Sequence, residues 1–154
     1  MARIKIDLPD SFSFTTSIQV RITDINYGGH VGNDAILSLV HEARMRFLKQ
    51  FGYTELELGG VGLIMADAAI EFRNELFYGD TVIVSLACTE FSKVSFDIYY
   101  KLEKTADPLQ VEKRVLVATA KTGMVCYDYA NKKIAAIPGE VSRNLEQAVG
   151  IARL

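Results

Sequence analysis

Asp24-Ile25-Asn26-Tyr27-Gly28-Gly29-His30-Val31-Gly32-Asn33 runs directly into NDAILSLVHEARMRFLKQFG, residues 33–52. Apolar residues at Ile36, Leu37, Val40, Ala43, Phe47, Leu48 and Phe51 keep the helical period, so a long helix is expected over Asn33–Phe51. Asn33 suits its N-cap, Asp34 its first turn and Gly52 its far end. The preceding turn thus gathers a carboxylate, an amide and an imidazole at a helix start. Backbone N–H groups point outward there with the positive end of the dipole, ready for a carbonyl oxygen that gains negative charge. The glycines let the backbone come close to a ligand. Asp24 is placed to take a proton from water or to orient the His30 imidazole. The same residues also read as turn formers, with Asp24 and Asn26 in Asx turns, the glycines bending the chain and His30 capping the bend. Residue types alone leave both readings open.

Outward from this loop, Phe14–Ile22 is rich in Thr, Val and Ile and reads as a strand. After Gly59-Gly60 the texture changes to extended segments. Val61–Arg73 is expected as a strand bent near Asp67, followed by a turn at Phe77–Asp80 and strands at Thr81–Glu90, Ser92–Lys104 and Glu112–Asp128. Tyr129–Lys132 reads as a turn and Pro138–Leu154 as a short terminal helix. A strand, a central helix and a meander of strands make an α+β pattern, one helix against one antiparallel sheet. One helix covers one face of such a sheet and leaves its edges open, while these strands are very apolar. A homodimer formed by strand pairing or helix packing is therefore expected.

At 154 residues the chain reads as a single domain over 1–154, long enough for a substantial core, and 49% hydrophobic composition excludes a disordered tail protein. A net charge of −2 supplies no basic field for a nucleic acid backbone. Cys88 and Cys126 are too few for a disulfide scaffold or a four-ligand zinc site, and read as buried free thiols. No metal site is expected. The N-terminal residues lack a signal-peptide core, and the longest apolar stretch, Val61–Ile70, is too short to span a bilayer. No membrane association and a cytoplasmic location are the expectation.

Four segments, in order, resemble the hot-dog-fold thioesterases of the 4-hydroxybenzoyl-CoA and acyl-CoA type. Their loop commonly runs Asp-x-Asp-x-x-Gly-His-Val-Asn-Asn before a helix with Glu-Ala-Arg. Asp24, Gly29, His30, Val31 and Asn33 are in register with it, and Glu42-Ala43-Arg44 follows in the helix. Phe77-Tyr78-Gly79-Asp80-Thr81-Val82 resembles the family's Tyr-Gly-Asp turn, and Gly123–Pro138 its last strand and turn. Two positions depart. Asn26 stands where the bacterial type has its catalytic carboxylate, and a neutral amide is neither nucleophile nor base. Gly32 stands where Asn is usual. Plant acyl-carrier-protein thioesterases offer a second, partial resemblance: Asp24 and Asn26 match their Asp-x-Asn spacing, His30 is displaced by two residues, and Glu75 matches an acidic residue of a later strand. Leu76 stands where those enzymes have Cys.

The resemblance implies a hot-dog fold, an antiparallel sheet wrapped around the helix, in a homodimer or homotetramer. It implies hydrolysis of an acyl-thioester, of CoA rather than acyl carrier protein, with Asp24, Asn26, His30 and Glu75 as catalytic candidates and water as the nucleophile. Tyr27, Gly29, Val31, Gly32 and Asn33 are the substrate-binding candidates, the amides near Val31 and Gly32 polarising the carbonyl. No phosphate-cradling or dinucleotide motif is present, so CoA enters only as part of the substrate, with no separate cofactor. Two rivals remain: an enoyl-CoA hydratase, whose loop usually carries a Pro this one lacks, and a non-catalytic acyl-thioester-binding module, suggested by Asn26.

Other polar residues are weaker candidates. Arg44 falls within the apolar stripe of the helix, so its charge needs a partner, expected as an ion pair inside a dimer. Glu42 falls on the opposite face from Val40 and reads as a surface or interface partner, and His41 has no assigned role. Ser92, Ser95 and Asp67 are candidate pocket groups, and Tyr27 either walls an acyl channel or shields the turn.

Overall fold

The computed structural model describes residues 1–107 and 109–147. Strand β1 (Phe14–Gln19) leads through a 3-10 turn at Ile22–Asp24 and the glycine-rich loop to helix α1 (Asn33–Lys49). Strands β2 (Gly62–Phe72), β3 (Thr81–Thr89), β4 (Ser95–Asp107), β5 (Gln110–Asp128) and β6 (Lys133–Ile134) follow, then helix α2 (Gly139–Gln147). The sheet is antiparallel throughout, in the order β1-β3-β4-β5-β2, with β6 paired to β5.

The expected elements are present, with shifted ends. The first strand stops at Gln19, because Arg21 and Asp24 bond to one another and fold Ile22–Asp24 into a turn. Gly32, not Asn33, is the N-cap residue, without a side-chain cap, and Asn33 is the first helical residue. The helix ends at Lys49, and Gly52 takes the left-handed φ of +75° just beyond it. The terminal helix is seen over Gly139–Gln147, and residues 148–154 of its expected span lie outside the described residues. The short strand β6 was not anticipated, since two residues carry no alternation to read.

Side chains paired directly across a sheet share a face. The row Phe14, Leu86, Tyr100, Ala120, Ile70 crosses all five long strands. It faces α1, where the Phe14 and Phe47 rings meet at a tilt with centroids 5.6 Å apart. Ile36, Leu39, Val40, Ala43, Phe47 and Leu48 bury the helical stripe there, at roughly 1.5–3 kcal/mol for each large side chain. The neighbouring row, Thr15, Ser85, Lys101, Thr119, Glu71, faces away and is polar. N-terminal residues lie across it: Phe12 sits under the Lys101 ammonium, 4.9 Å from ring centroid to nitrogen, and the Ile6 amide donates to Glu71.

Strand β2 is the exception to this covering. A bulge between Met65 and Asp67 bends it, as expected near Asp67. Asp67 Oδ1 accepts from the Gly123 amide at 2.9 Å and from Lys121 Nζ at 2.8 Å. A Cβ at position 123 would stand 2.6 Å from that oxygen, so glycine leaves the carboxylate its room. Asp67 therefore fixes the bulge and lines neither cavity described below. On the helix side, Met65 and Phe72 stay more than 40% exposed, at 43% and 44%. The other edge of β2 has no strand beside it among the described residues.

Candidate active site

The glycine-rich loop divides into two parts with different bonding. In the first, the Asp24 carboxylate turns back onto Arg21: Oδ2 accepts from the Arg21 amide at 2.8 Å, and Oδ1 lies 3.2 Å from Nη2. Asp24 is buried, and its carbonyl accepts from the Gly32 amide at 3.2 Å. The expected pairing of Asp24 with His30 is not made, because Arg21 occupies the carboxylate. Asn26 Oδ1 accepts from the Gly28 amide at 2.8 Å, so its side chain forms the Asx turn that the sequence also allowed. Asn26 and His30 bond through their backbones at 2.9 Å, and Gly29 turns the tip with φ +84°. Tyr27 stands on this tip fully exposed, away from any channel.

The second part faces a cavity. His30 Nδ1 lies 3.0 Å from the Val31 carbonyl, which only accepts, so Nδ1 carries the proton and Nε2 is left as the basic nitrogen. Nε2 stands 3.9 Å from Glu75 Oε1, with 32% of the imidazole and 63% of the carboxylate exposed. Both line a cavity of about 660 Å³. Asn33 and Val31 also line it, and Ile36, Leu76 and Val117 supply apolar wall. Lys104 holds its rim: Nζ donates to the Glu75 carbonyl at 2.7 Å and lies 5.1 Å from the Phe77 ring centroid. Lys104 was not singled out in the sequence, yet a signal was there. Phe96, Ile98, Tyr100 and Leu102 alternate inward along β4, and Lys104 is next in that register.

The helix start sits at the edge of this cavity. The Val31 amide donates to the Leu76 carbonyl at 2.8 Å and the Gly32 amide to Asp24, so both amides expected to polarise a carbonyl are already bonded. The next two, of Asn33 and Asp34, have no hydrogen-bond partner among the described residues. Of the residues anticipated for the site, His30, Val31, Asn33 and Glu75 come together at the cavity, while Asp24, Asn26, Tyr27, Gly29 and Gly32 shape the loop behind it.

A smaller cavity of about 220 Å³ lies further along α1, lined by Asp34, Leu37, Ser38, His41, Arg44 and Met65. The Arg44 side chain is 6% exposed and is paired within its own chain. Nε donates to Glu55 Oε2 at 3.1 Å and Nη1 to the Tyr100 hydroxyl at 3.1 Å. Tyr100 in turn bonds Thr122 at 2.8 Å. Burial works against the Arg44 charge, but Tyr100 and Glu55 outweigh it and hold the guanidinium above its usual range. His41 Nε2 shares Glu55 at 2.6 Å. Neither Glu55 nor the role of His41 was visible in the sequence, since Glu55 lies in an irregular stretch.

The remaining candidates settle elsewhere. Glu42 pairs with Arg46 at 2.8 Å on the helix surface, and Ser92 and Ser95 bond one another at 2.8 Å in an exposed turn. Cys88 and Cys126 are free thiols; burial pushes both up, Cys126 to about 11. No helix among the described residues is long and apolar enough to cross a membrane.

A family model described as the Thioesterase-like superfamily matches residues 20–145. A protein of Nostoc punctiforme named 1,4-dihydroxy-2-naphthoyl-CoA hydrolase is 26% identical over 137 residues, 87% of each chain. A protein of Aquifex aeolicus named putative esterase is 31% identical over 132 residues, 84% of this chain and 94% of its own. The crystal structure of a 1,4-dihydroxy-2-naphthoyl-CoA thioesterase from Synechocystis superposes with a TM-score of 0.72 at 26% identity, over 86% of this chain and 94% of that one.

Proposed function

The chain belongs to the thioesterase-like superfamily and has its hot-dog fold, and from that premise we propose that it hydrolyses acyl-CoA thioesters to a free acid and CoA. The observation that carries the mechanism is the pair His30 and Glu75, facing one another 3.9 Å apart at a cavity beside the helix start. The thioester carbonyl lies against the unbonded amides of Asn33 and Asp34. A water held by His30 Nε2 on the cavity side gives its proton to that nitrogen while its oxygen attacks the carbonyl carbon. The negative charge that develops on the carbonyl oxygen is met by the two amides and the helix dipole. As the tetrahedral intermediate collapses, the C–S bond breaks and the proton on His30 passes to the departing thiolate. The Val31 carbonyl orients the imidazole through Nδ1, and Glu75 balances the charge that appears once Nε2 is protonated. Asn26 acts through the turn it closes, which explains why an amide serves where related enzymes have a carboxylate.

CoA is favoured over acyl carrier protein as the thiol carrier because the named relatives act on a CoA ester. The active unit on this reading is a homodimer: β2 has an edge unpaired among the described residues and exposes Met65 and Phe72 on its helix side, and a second copy laid along it would cover both. Pairing of dimers into a homotetramer is a further step. Free thiols and a CoA substrate support a cytoplasmic location. The test is thiol release from short, long and aromatic acyl-CoAs, with His30→Ala and Glu75→Gln beside the wild type and a no-substrate control for Cys88 and Cys126. Turnover lost in both variants supports the reading. No release from any CoA ester overturns it in favour of a binding module.

A further inference from the structure

The turn Phe77–Asp80 has a place in the fold but none yet in the chemistry, and it meets the site through Lys104. The stretch between β2 and β3 carries Glu75 to the cavity, and backbone bonds hold it on both sides of that residue. The Arg73 and Asn74 amides donate to the Val117 carbonyl at 2.8 and 3.1 Å, and the Leu76 carbonyl accepts from the Val31 amide at 2.8 Å. Glu75 itself has no backbone–backbone hydrogen bond among the described residues. Its carbonyl accepts instead from Lys104 Nζ at 2.7 Å. Its carboxylate faces His30 at 3.9 Å and makes no hydrogen bond among the described residues, so its place follows from where the main chain puts it.

The Lys104 ammonium holds more of this stretch than Glu75. Nζ lies 3.4 Å from Asp80 Oδ2 and 5.1 Å from the Phe77 ring centroid. The same Asp80 oxygen accepts from the Phe77 amide at 2.9 Å and closes the turn. One side chain of β4 thus touches Glu75, Phe77 and Asp80. Lys104 comes two positions after buried Leu102 and its side chain is 19% exposed, a setting that suits a lysine stem but requires partners for the charge. Those partners lie on the stretch that carries Glu75, so satisfying the ammonium and fixing Glu75 are one event.

We propose that Lys104 is a positioning residue for the hydrolysis: it ties the Glu75 main chain to β4 and thereby keeps the carboxylate beside His30, where it balances the imidazolium. The inference rests on the thioesterase reading. Lys104 also lines the cavity, so the test must separate positioning from a direct grip on the ester. It uses the full chain and whichever of acetyl-, octanoyl- and benzoyl-CoA the wild type turns over fastest. Thiol release is followed in steady state and, for slow variants, in single turnover with enzyme in excess. Lys104→Met keeps the stem and loses the donors; kcat is expected to fall about tenfold or more, with KM changed less than about threefold. Lys104→Arg keeps the charge and the donors and returns kcat to within about threefold of wild type. In a Glu75→Gln background, Lys104→Met costs less than about twofold more, because the group it positions is already gone. A folding defect would cost the same factor in both backgrounds. Should Lys104→Met not fold, Lys104→Gln, uncharged and one bond shorter, takes its place under the same criteria. A rise in KM at unchanged kcat overturns positioning in favour of a contact with the ester. Losses that multiply in the double variant, or no loss at all, overturn it as well and leave the thioesterase intact. No release from any of the three esters by the wild type overturns the thioesterase reading and this inference with it.

Discussion

Asp24 and His30 lie six residues apart in one loop and have opposite fates. Asp24 is buried with its oxygens taken up by Arg21, and its backbone carbonyl holds the Gly32 amide. His30 spends one nitrogen on the Val31 carbonyl and presents the other to Glu75 across an open cavity. The same contrast separates the amides of Val31 and Gly32, which are bonded, from those of Asn33 and Asp34, which have no partner among the described residues. A polar group with its bonding filled contributes to stability, and one with capacity left over contributes to chemistry.

The sharpest way to break this contrast is to exchange the two outcomes. His30→Ala is expected to lower kcat by about 10²–10⁴-fold with little change in Tm, as loss of a general base does; steady-state thiol release beside a thermal melt reads both. Asp24→Ala should do the reverse, costing about 2–3 kcal/mol of stability by removing charged bonds from a buried site, with kcat near wild type in the protein that folds. Denaturant titration followed by assay at low denaturant checks it, and a hundredfold loss of kcat at full folding would show that Asp24 reaches the substrate. Asn26→Asp preserves the turn acceptor and adds the carboxylate that related loops carry; a change in kcat of less than about tenfold is expected, because the oxygen that would act is held by the Gly28 amide.

The smallest effect belongs to a filled group far from the site. Hydrogen bonding from Lys121, then its charge and the Gly123 amide, hold the Asp67 carboxylate below its usual range despite some desolvation. A lowered folded-state pKa gives stability that is present above about pH 4 and lost as the pH falls through the folded value. Asp67→Asn should therefore be less stable than wild type at neutral pH, with the gap closing in acid. Chemical denaturation at pH 7 and pH 3 reads the difference.

The order of elements was legible because each rests on local pattern. The stripe from Ile36 to Phe51 could only be a helix, and the alternation Ser95-Phe96-Asp97-Ile98-Tyr99 a strand. Much of the site was legible as a neighbourhood: His30 and Glu75, 45 positions apart, were both singled out, and they meet. What was illegible was which partner each polar group takes. Arg21 precedes Asp24 in an ordinary strand end, and nothing in its sequence context announces that it will cap the turn. Arg44 was seen to need a partner, but Glu55 reaches it through the tertiary course of residues 50–61, which has no periodicity to follow. Hydrogen-bond allocation is a property of the folded chain, and motif spacing reports only which residues compete for it.

The bulge at Met65–Asp67 also settles a question of parity. Met65 and Phe72 are seven positions apart, an odd number, so in a regular strand they would point to opposite faces of the sheet. The one extra residue makes the interval effectively even. Met65 can then wall the smaller cavity while Phe72 walls the larger, both on the side of α1. Removing that residue would turn one end of β2 outward, and a single edge strand could no longer serve both cavities.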